Sequence, residues 1–365
     1  MQELYIGLMS GTSADGVDAS LISLDNGKIT SLSQSYLAFD RQFKRQIIAL
    51  YQTQKNEIEV LGQTACQLSE VYAQAVFDLL AKSNVSATQI TAIGCHGQTI
   101  RHRPDLTTPF TLQICDYAKL AELVGIDVIG DFRSADIAAG GQGAPLVPAF
   151  HKAIFPAAEI DQVVVNIGGI ANLTLIKNNG YIAGFDTGPG NGLMDEWCEF
   201  NTGQPYDKNG RWAGSGQSIQ TLLDKLLTAP FFTKKGPKSS GREVFNLSWL
   251  QHYLTEVYSA QDVQATLLNL TSQSIAQAIQ NVSHTADVWV CGGGVHNQTL
   301  MQQLQADLGY NYRLNSTQVL NIAPDWIEAD CFAWLAYCFK HKIPANLPQV
   351  TGAKKTKILG CLYPF

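Results

Sequence analysis

The chain lacks paired cysteines. Its eight cysteines are scattered and no two of them form a C-x-x-C pair, so the sequence indicates neither a zinc site nor a disulfide framework, and reduced thiols are the simplest account of them. Charge is also sparse, because only 15% of the residues are charged and the formal net charge is −6. This balance argues against nucleic acid or an anionic membrane as the main partner.

Long apolar runs are missing as well. No run approaches the roughly 20 residues that a membrane helix needs, and residues 1–10 lack the basic and apolar regions of a signal peptide. We therefore expect no membrane partner and a cytoplasmic location. What is present is a hydrophobic content of 45% in 365 residues, which is typical of a folded protein with two domains and large cores.

Residues 4–24 predict a strand, a polar turn and a second strand. Hydroxyls, glycines and acids in such a turn suit a hairpin that wraps phosphates while a carboxylate holds Mg²⁺, directly or through water. No Gly-Lys-Ser/Thr follows, so this is not the Walker P-loop. An ordinary hairpin turn is the alternative. The turn contains Ser10, Gly11, Thr12, Ser13, Asp15, Gly16 and Asp18, with Asp15 or Asp18 as the metal-side carboxylate.

A second hairpin is predicted over residues 163–176. Gly168 and Gly169 form its tight turn, which lets an anion approach the main chain. Residues 184–192 follow, with Asp186 amid glycines directly before a predicted helix. An acid at a strand end, beside a glycine loop that opens a helix, is placed to act on a substrate next to a phosphate. The alternative is an ordinary loop with a capping aspartate.

Two further predicted strands end in polar segments. Ligands of open α/β sheets lie outside the carboxyl ends of strands, so His96 and Gln98, after the strand at residues 91–95, are candidate substrate contacts. Arg133, after the strand that begins at residue 126, could hold a substrate carboxylate in a bidentate pair. The alternatives are a structural histidine and a structural pair of Arg133 with Asp131 or Asp136.

Glycines and an acid also mark the last third of the chain. Gly292, Gly293 and Gly294 join a strand to a helix and let a flat ligand such as adenine lie against the backbone. They lack the G-x-G-x-x-G spacing of a dinucleotide site. Glu328 is either a helix N-terminal acid or a second active-site carboxylate.

The strand–glycine turn–strand pattern occurs twice, about 160 residues apart. This repetition suggests a duplicated α/β architecture whose halves face each other across a nucleotide cleft. We place the first half at residues 1–160 and the second at residues 161–365. Residues 203–216 and 234–242 are loop-rich and suit a movable flap, with ordinary surface loops as the alternative.

Five motifs together closely resemble the anhydro-N-acetylmuramic acid kinase family. They are residues 6–18 (IGLMSGTSADGVD), 95–99 (CHGQT), 166–172 (NIGGIAN), 185–191 (FDTGPGN) and 291–297 (CGGGVHN). The motifs follow the family's order over nearly the whole chain. One departure is Ala14, where many members have methionine.

The resemblance implies the acetate and sugar kinase, heat-shock 70 and actin fold. This is an α/β fold of two ribonuclease-H-like domains with an interdomain nucleotide cleft. The first domain would carry the phosphate turn and the sugar contacts, and the second the catalytic aspartate and the adenosine site. ATP and Mg²⁺ are the implied cofactors, and a homodimer is the implied assembly.

The implied reaction opens the 1,6-anhydro ring of 1,6-anhydro-N-acetylmuramic acid with water while O6 takes the γ-phosphoryl group of ATP. The product is N-acetylmuramic acid 6-phosphate, an intermediate of peptidoglycan recycling. Carried onto this sequence, the general base falls on Asp186 and the acid of the D-x-x-E-A segment on Glu328. The implied nucleotide and phosphate contacts are Gly11, Thr12, Ser13, Ala14, Asp15, Gly16, Val17, Asp18, Asn166, Gly168, Gly169, Gly188, Gly292, Gly293 and Gly294. The alternatives are a kinase of another sugar and a nucleotide-dependent binding protein of the same fold.

Overall fold

The computed structural model describes residues 2–25, 27–155, 158–233 and 244–365. The chain folds into two compact units, of which the first comprises Met1–Ile154 and Trp326–Phe365 and the second Phe155–Asp325. The boundary after residue 154 lies close to the expected one near residue 160. Residues 326–365, expected in the second half, belong to the first unit instead. The predicted loop at residues 234–242 lies outside the described residues.

Thirteen strands occur in the described ranges, arranged as two main sheets and one two-stranded hairpin. They are β1 (Glu3–Met9), β2 (Gly16–Asp25), β3 (Lys28–Ala38), β4 (Ile90–Cys95), β5 (Gln98–Arg103), β6 (Phe110–Ile114), β7 (Val128–Gly130), β8 (Asp161–Ile167), β9 (Ile170–Ile176), β10 (Ile182–Pro189), β11 (Ala286–Cys291), β12 (Tyr312–Ser316) and β13 (Cys361–Tyr363).

Fourteen α-helices are found in the same part of the chain. They are α1 (Arg41–Ala49), α2 (Glu57–Ser83), α3 (Tyr117–Val124), α4 (Ser134–Ala138), α5 (Val147–Ile154), α6 (Gly192–Thr202), α7 (Arg211–Ser215), α8 (Gln220–Leu227), α9 (Pro230–Thr233), α10 (Leu247–Gln251), α11 (Ala260–Val282), α12 (Gln298–Leu308), α13 (Ile327–Lys340) and α14 (Pro348–Thr351). Local signals set several ends: the Asp40 carboxylate caps α1, and Gly125, with a left-handed φ of 67°, ends α3.

The two main sheets share one topology. Their strand orders are β13-β7-β4-β1-β2-β3 in the first unit and β10-β9-β8-β11-β12 in the second. Each contains three consecutive antiparallel strands, β1-β2-β3 or β8-β9-β10, extended by the parallel strands β4 and β7, or β11 and β12. This repeated order is that of a ribonuclease-H-like domain, so the predicted duplicated α/β fold is confirmed.

Helix α13 lies directly on strands β1 and β4 of the first unit. Gly7 and Gly94 are paired across these strands. A Cβ atom on Gly7 would lie 1.8 Å from the carbonyl oxygen of Ala329, and one on Gly94 would lie 1.9 Å from that of Phe332. Only glycine admits a helix backbone this close to a strand. This contact is the physical reason why the C-terminal segment belongs to the first unit.

Gly7→Ala should destabilise the first unit strongly, because its Cβ would overlap the Ala329 carbonyl. We expect a loss of about 3 kcal/mol or more in the free energy of unfolding. Gly62→Ala, within α2, is the matched control, since its Cβ meets nothing within 4 Å. This substitution should stabilise the helix by about 0.5–1 kcal/mol. Denaturant unfolding measures both. A Gly7 variant as stable as the wild type would contradict the close contact.

A buried carboxyl group also lies on α13. Asp330 accepts hydrogen bonds from the hydroxyls of Ser20 and, at 3.3 Å, Ser31. Burial raises the pKa of Asp330 from 3.8 to about 7. The folded state therefore holds a proton on Asp330 in a pH range where the unfolded state has released it.

Asp330→Asn should remove a pH dependence of stability. Because the folded-state pKa is the higher one, the free energy of unfolding falls as pH rises from about 4 to about 7, by roughly 4 kcal/mol in all. Asparagine does not titrate. The unfolding midpoint of the variant relative to the wild type should therefore rise across this window and stay level above it. Thermal unfolding of both proteins over the window is the measurement, and a constant difference would exclude Asp330 as the cause.

Candidate active site

The turn between β1 and β2 is fixed by side chains from elsewhere in the first unit. Gln98 Nε2 donates to the Gly11 carbonyl at 3.0 Å, and the Tyr51 hydroxyl donates to the Thr12 carbonyl at 2.8 Å. Gln98 Nε2 also donates to the Tyr51 hydroxyl at 3.0 Å, so the two side chains are joined. Ala14 adopts a left-handed φ of 50°. The main chain of the turn is therefore held in one conformation.

The segment predicted to bind phosphate is only partly a turn. Strand β2 begins at Gly16, so Gly16, Val17 and Asp18 lie on the strand, and the Val17 side chain is fully buried in the core. The Asp15 carboxylate, at the end of the turn, forms an ion pair with Lys44 of α1. Hydroxyl groups and main-chain groups of residues 10–15 are therefore the part of the segment that can face a phosphate.

Gln98 supports the turn, a role that the sequence did not predict. Its side chain is fully buried and Nε2 donates to the Gly11 carbonyl, while the predicted substrate contact stays a prediction. Sequence reasoning also missed Tyr51 and Tyr72, whose hydroxyl lies 2.6 Å from Ser10 Oγ. Tyr51 follows the end of α1, and Tyr72 lies within α2. No local sequence signal distinguishes a tyrosine whose hydroxyl contacts the turn from a tyrosine that only packs in the core.

His96 and Arg133, predicted separately, are in direct contact. Arg133 Nε and Nη2 lie 3.1 and 3.0 Å from His96 Nε2, and Nη1 donates to the Gly143 carbonyl at 2.9 Å. A guanidinium group only donates, so Nε2 accepts and a neutral His96 carries its proton on Nδ1. Burial, reinforced by the positive charge of Arg133, holds the pKa of His96 well below its usual value.

Arg133 forms neither of the structural pairs that the sequence left open, with Asp131 or with Asp136. Its guanidinium contacts His96 and Gly143 rather than Asp131 or Asp136. Asp136 instead accepts from Gly143 and from two side chains of the C-terminal segment.

Glu328 lies close to this pair, as the second residue of α13. Burial raises the pKa of Glu328, and the positive charge of Arg133 opposes the shift. Burial lowers the pKa of Arg133, and the Glu328 charge opposes that shift in turn. The Phe332 ring, one turn further along α13, lies 4.7 Å from the His96 ring, centroid to centroid. The first unit thus gathers an imidazole, a guanidinium and a carboxyl group.

In the second unit, the predicted β8–β9 hairpin is confirmed, and its glycine turn is tied to the loop after β10. The amides of Gly190 and Asn191 donate to the carbonyls of Gly169 and Gly168 at 3.0 and 2.7 Å. Asn191 Nδ2 donates to the Ile167 carbonyl at 3.1 Å. Two glycine loops distant in sequence therefore form one layer of main chain.

The third glycine segment lies against the same layer. A Cβ on Gly292, whose φ is 78°, would lie 2.3 Å from Asn166 Oδ1, and one on Gly294 would lie 2.3 Å from Ile167 Cγ2. A Cβ on Gly293 would meet only Asn191 Nδ2, at 3.6 Å. Packing therefore requires glycine at 292 and 294, while Gly293 has open space that a ligand can use.

Asp186 lies on β10, near these loops. Residue 186 pairs with Asn172 of β9, and the register shifts between Asp186 and Gly188. Bulges of this kind re-aim side chains and are common beside active sites. Strands β8, β10 and β11 run in the same direction, so the three glycine segments and the last residues of β10 share the carboxyl edge of the sheet. The structure thus brings Asn166, Gly168, Gly169, Asp186, Gly188, Gly292, Gly293 and Gly294 to one edge.

Two ribonuclease-H-like units, each with its polar and glycine-rich segments beyond the carboxyl ends of parallel strands, define the acetate and sugar kinase, heat-shock 70 and actin class of proteins. The sequence model of the family described as "Anhydro-N-acetylmuramic acid kinase" matches residues 3–365. The chain therefore belongs to the anhydro-N-acetylmuramic acid kinase family.

Relatives with the same description match over their full length. The anhydro-N-acetylmuramic acid kinase of Nitrosospira multiformis is 48% identical over 361 residues, which cover 99% of this chain and 98% of the relative. That of Pseudomonas fluorescens is 48% identical over 364 residues, with 99% of both chains covered. Among solved structures, a ROK family glucokinase from Streptomyces griseus in complex with glucose and AMPPNP is 12% identical, with a TM-score of 0.42 over 91% of this chain and 98% of that one.

Proposed function

We propose that this protein uses ATP and water to convert 1,6-anhydro-N-acetylmuramic acid to N-acetylmuramic acid 6-phosphate. The observation that carries the proposal is the full-length family match at 48% identity. The placement of Asp186 beside the three glycine segments supports it independently, because a carboxylate next to bare main chain suits a reaction at a phosphate.

In the first unit we propose that His96, Arg133 and Glu328 hold the sugar. The substrate carries a carboxylate, and a guanidinium group recognises a carboxylate in a bidentate pair. Because burial and the positive charge of Arg133 lower the pKa of His96, the imidazole is neutral and offers an Nδ1–H donor rather than a second positive charge. The turn at residues 10–15 would face the phosphates, with Gln98 and Tyr51 holding its carbonyls.

In the second unit we propose that the glycine segments hold the nucleotide. Main-chain amides at Gly168, Gly169 and Gly188 would face phosphate oxygens. Gly293 would lie against adenine, since its Cα has open space beside it. The Asn166 side chain lies against Gly292 and would support the loop at Gly292–Gly294 rather than contact the ligand itself.

Asp186 is the proposed general base. It takes a proton from water as the water oxygen attacks C1, the C1–O6 bond breaks, and O6 forms a bond to the γ-phosphorus as the bond from that phosphorus to ADP breaks. General-base help is typically worth about 10²–10⁴ in rate. Positioning of the reactants and of the charged phosphates supplies the rest.

Asp186→Asn should abolish most of the sugar-dependent ADP release while leaving ATP binding intact. The expected loss is about 10²-fold or more in kcat, with the KM for ATP changed less than about twofold. Product mass in the wild type should show the gain of one phosphoryl group and one water. The matched control is Asp224→Asn, an exposed aspartate of α8 paired with Gln220, which should be fully active.

Two outcomes would favour the alternative functions, and a third would contradict the role of Asp186. ADP release that another sugar stimulates better would indicate a kinase of that sugar. ADP release that ignores all sugars would indicate a nucleotide-dependent binding protein. A fully active Asp186→Asn enzyme would be consistent with the proposed reaction but would exclude Asp186 as its general base.

We further propose that Mg²⁺ accompanies ATP. In the described ranges no group of three or more His, Cys, Asp or Glu side chains is arranged to hold a metal. A nucleotide-bound Mg²⁺ needs only one or two carboxylates, so a single aspartate with bound water fits. When bound, Mg²⁺ neutralises phosphate charge. Asp15, at the end of the turn, or Asp18, opposite the last residue of β1, would supply that carboxylate.

Asp15→Asn or Asp18→Asn, whichever removes the carboxylate that holds Mg²⁺, should raise the Mg²⁺ concentration required for half-maximal rate about tenfold, and the other substitution should raise it less than about twofold. Titration of Mg²⁺ into each variant after treatment with a chelator measures both. Changes below about twofold at both positions would exclude both carboxylates.

From the family resemblance we also propose that the protein acts in the cytoplasm as a homodimer, which sedimentation of the purified protein tests. None of the helices in the described ranges combines the length and apolarity that a bilayer crossing requires.

A further inference from the structure

Asp136, at the middle of α4 in the first unit, is a fully buried carboxylate with three hydrogen-bond donors. Its Oδ1 accepts from Asn346 Nδ2 at 2.6 Å and from Thr351 Oγ1 at 2.8 Å, and its Oδ2 accepts from the Gly143 amide at 2.8 Å. The two side-chain donors are 210 and 215 residues away in sequence. A buried carboxylate is costly unless it is fully bonded, so this cluster has one favourable arrangement.

The glycine loop after α4 is clamped by this cluster. A Cβ on Gly141 would lie 2.2 Å from Asp136 Oδ2, so the loop passes directly over the carboxylate. The Gln142 amide donates to the Thr351 carbonyl at 2.8 Å. Gly143 completes the link, because its N–H is bound to Asp136 and its carbonyl accepts from Arg133 Nη1. The position of the carbonyl that Arg133 contacts is therefore set by Asp136.

The contacts of Arg133 with His96 and Gly143 use three of its five N–H groups. Its contacts with His96 and Gly143 use one N–H on each of Nε, Nη1 and Nη2. A guanidinium group has five N–H bonds, so one remains on each terminal nitrogen, which is the pair that a carboxylate engages in a bidentate contact. A bidentate contact depends on the plane of the group, and Gly143 and His96 together fix that plane.

We propose that Asp136 is a positioning residue for the sugar site, which acts through Gly143 to orient the Arg133 guanidinium toward the substrate carboxylate. Asn346 and Thr351 hold Asp136 in place. This inference rests on the proposed function in taking the carboxylate of the sugar as the ligand of Arg133. Asp136 touches neither substrate nor nucleotide in this scheme, and its effect is on selectivity for the carboxylate.

The test compares two sugars, 1,6-anhydro-N-acetylmuramic acid and 1,6-anhydro-N-acetylglucosamine, which lacks the carboxylate. An asparagine at 136 has one oxygen, so its NH₂ must face either the Gly143 amide or the Asn346 and Thr351 donors. Asp136→Asn should lower the ratio of kcat/KM for the two sugars about tenfold, through the KM for the carboxylate sugar. The KM for ATP should stay within about twofold of the wild type. Thr351→Val, which removes one donor, should act in the same direction more weakly.

Two comparisons separate positioning from general loss of structure. Asp330→Asn makes the same change at another buried carboxyl group of the first unit that does not contact Arg133, and it should leave the sugar ratio unchanged. Arg133→Lys should lower the ratio, and adding Asp136→Asn to it should lower the ratio no further, because both act on one contact.

Equal losses for both sugars in folded Asp136→Asn, or additive losses in the double variant, would overturn the inference. If the wild type phosphorylates neither sugar, the proposed function fails first. Wild-type activity with an unchanged ratio in Asp136→Asn contradicts the positioning role alone.

Discussion

The close contact of α13 with the first sheet is the constraint on which the first half of the site depends. The helix backbone touches Gly7 and Gly94 directly, so its distance from the sheet is set by main-chain atoms rather than by adaptable side chains. That distance determines where Glu328 and Phe332 stand relative to His96. A carboxyl group and an aromatic ring are thereby presented to a histidine at the end of β4 by an element from the far end of the chain.

The two units apply the same topology to different chemistry. In the first unit, charged and hydroxyl side chains follow the parallel strands and are fixed by one another, as His96 is by Arg133. In the second unit, glycines follow the corresponding strands. Gly190, Gly292 and Gly294 are closely packed, whereas Gly168 and Gly293 have open space beside them. Side chains select a substrate by its functional groups, whereas exposed main chain accepts any ligand with phosphates and a flat base. The proposed sugar site in the first unit and the proposed nucleotide site in the second are based on this difference.

Segments with a distinctive local residue pattern could be predicted from the sequence. Both glycine hairpins and the helix that follows residues 184–192 were located, because each has a pattern that only a few conformations satisfy. Strand β3 was not predicted, since Lys28–Ala38 is largely polar and pairs at the edge of its sheet. An edge strand with one exposed face has no apolar run to reveal it.

The site was predicted as a set of residues but not as a set of contacts. His96, Arg133 and Glu328 were each singled out, while the supports Tyr51 and Asn346 were not. Asp136 was considered only as a partner of Arg133, and the support that Gln98 gives to the turn was not predicted. Partners such as Asp136 and Asn346 are separated by 210 residues, and no local pattern encodes such a pairing. Placing the C-terminal segment in the second half had the same cause, because only the fold shows what fills the space above Gly7 and Gly94.

The return of Trp326–Phe365 to the first unit makes the second unit an insertion in the sequence of the first. During synthesis, Phe155–Asp325 emerges as one continuous stretch and has all its strands before the first sheet receives its covering helix. The first unit cannot complete its fold until α13 has left the ribosome, and the apolar strands β1 and β4 lack their covering helix until then. The part of the chain made first is therefore the part completed last, and exposure of that sheet is the stage at which the growing chain most needs protection from aggregation.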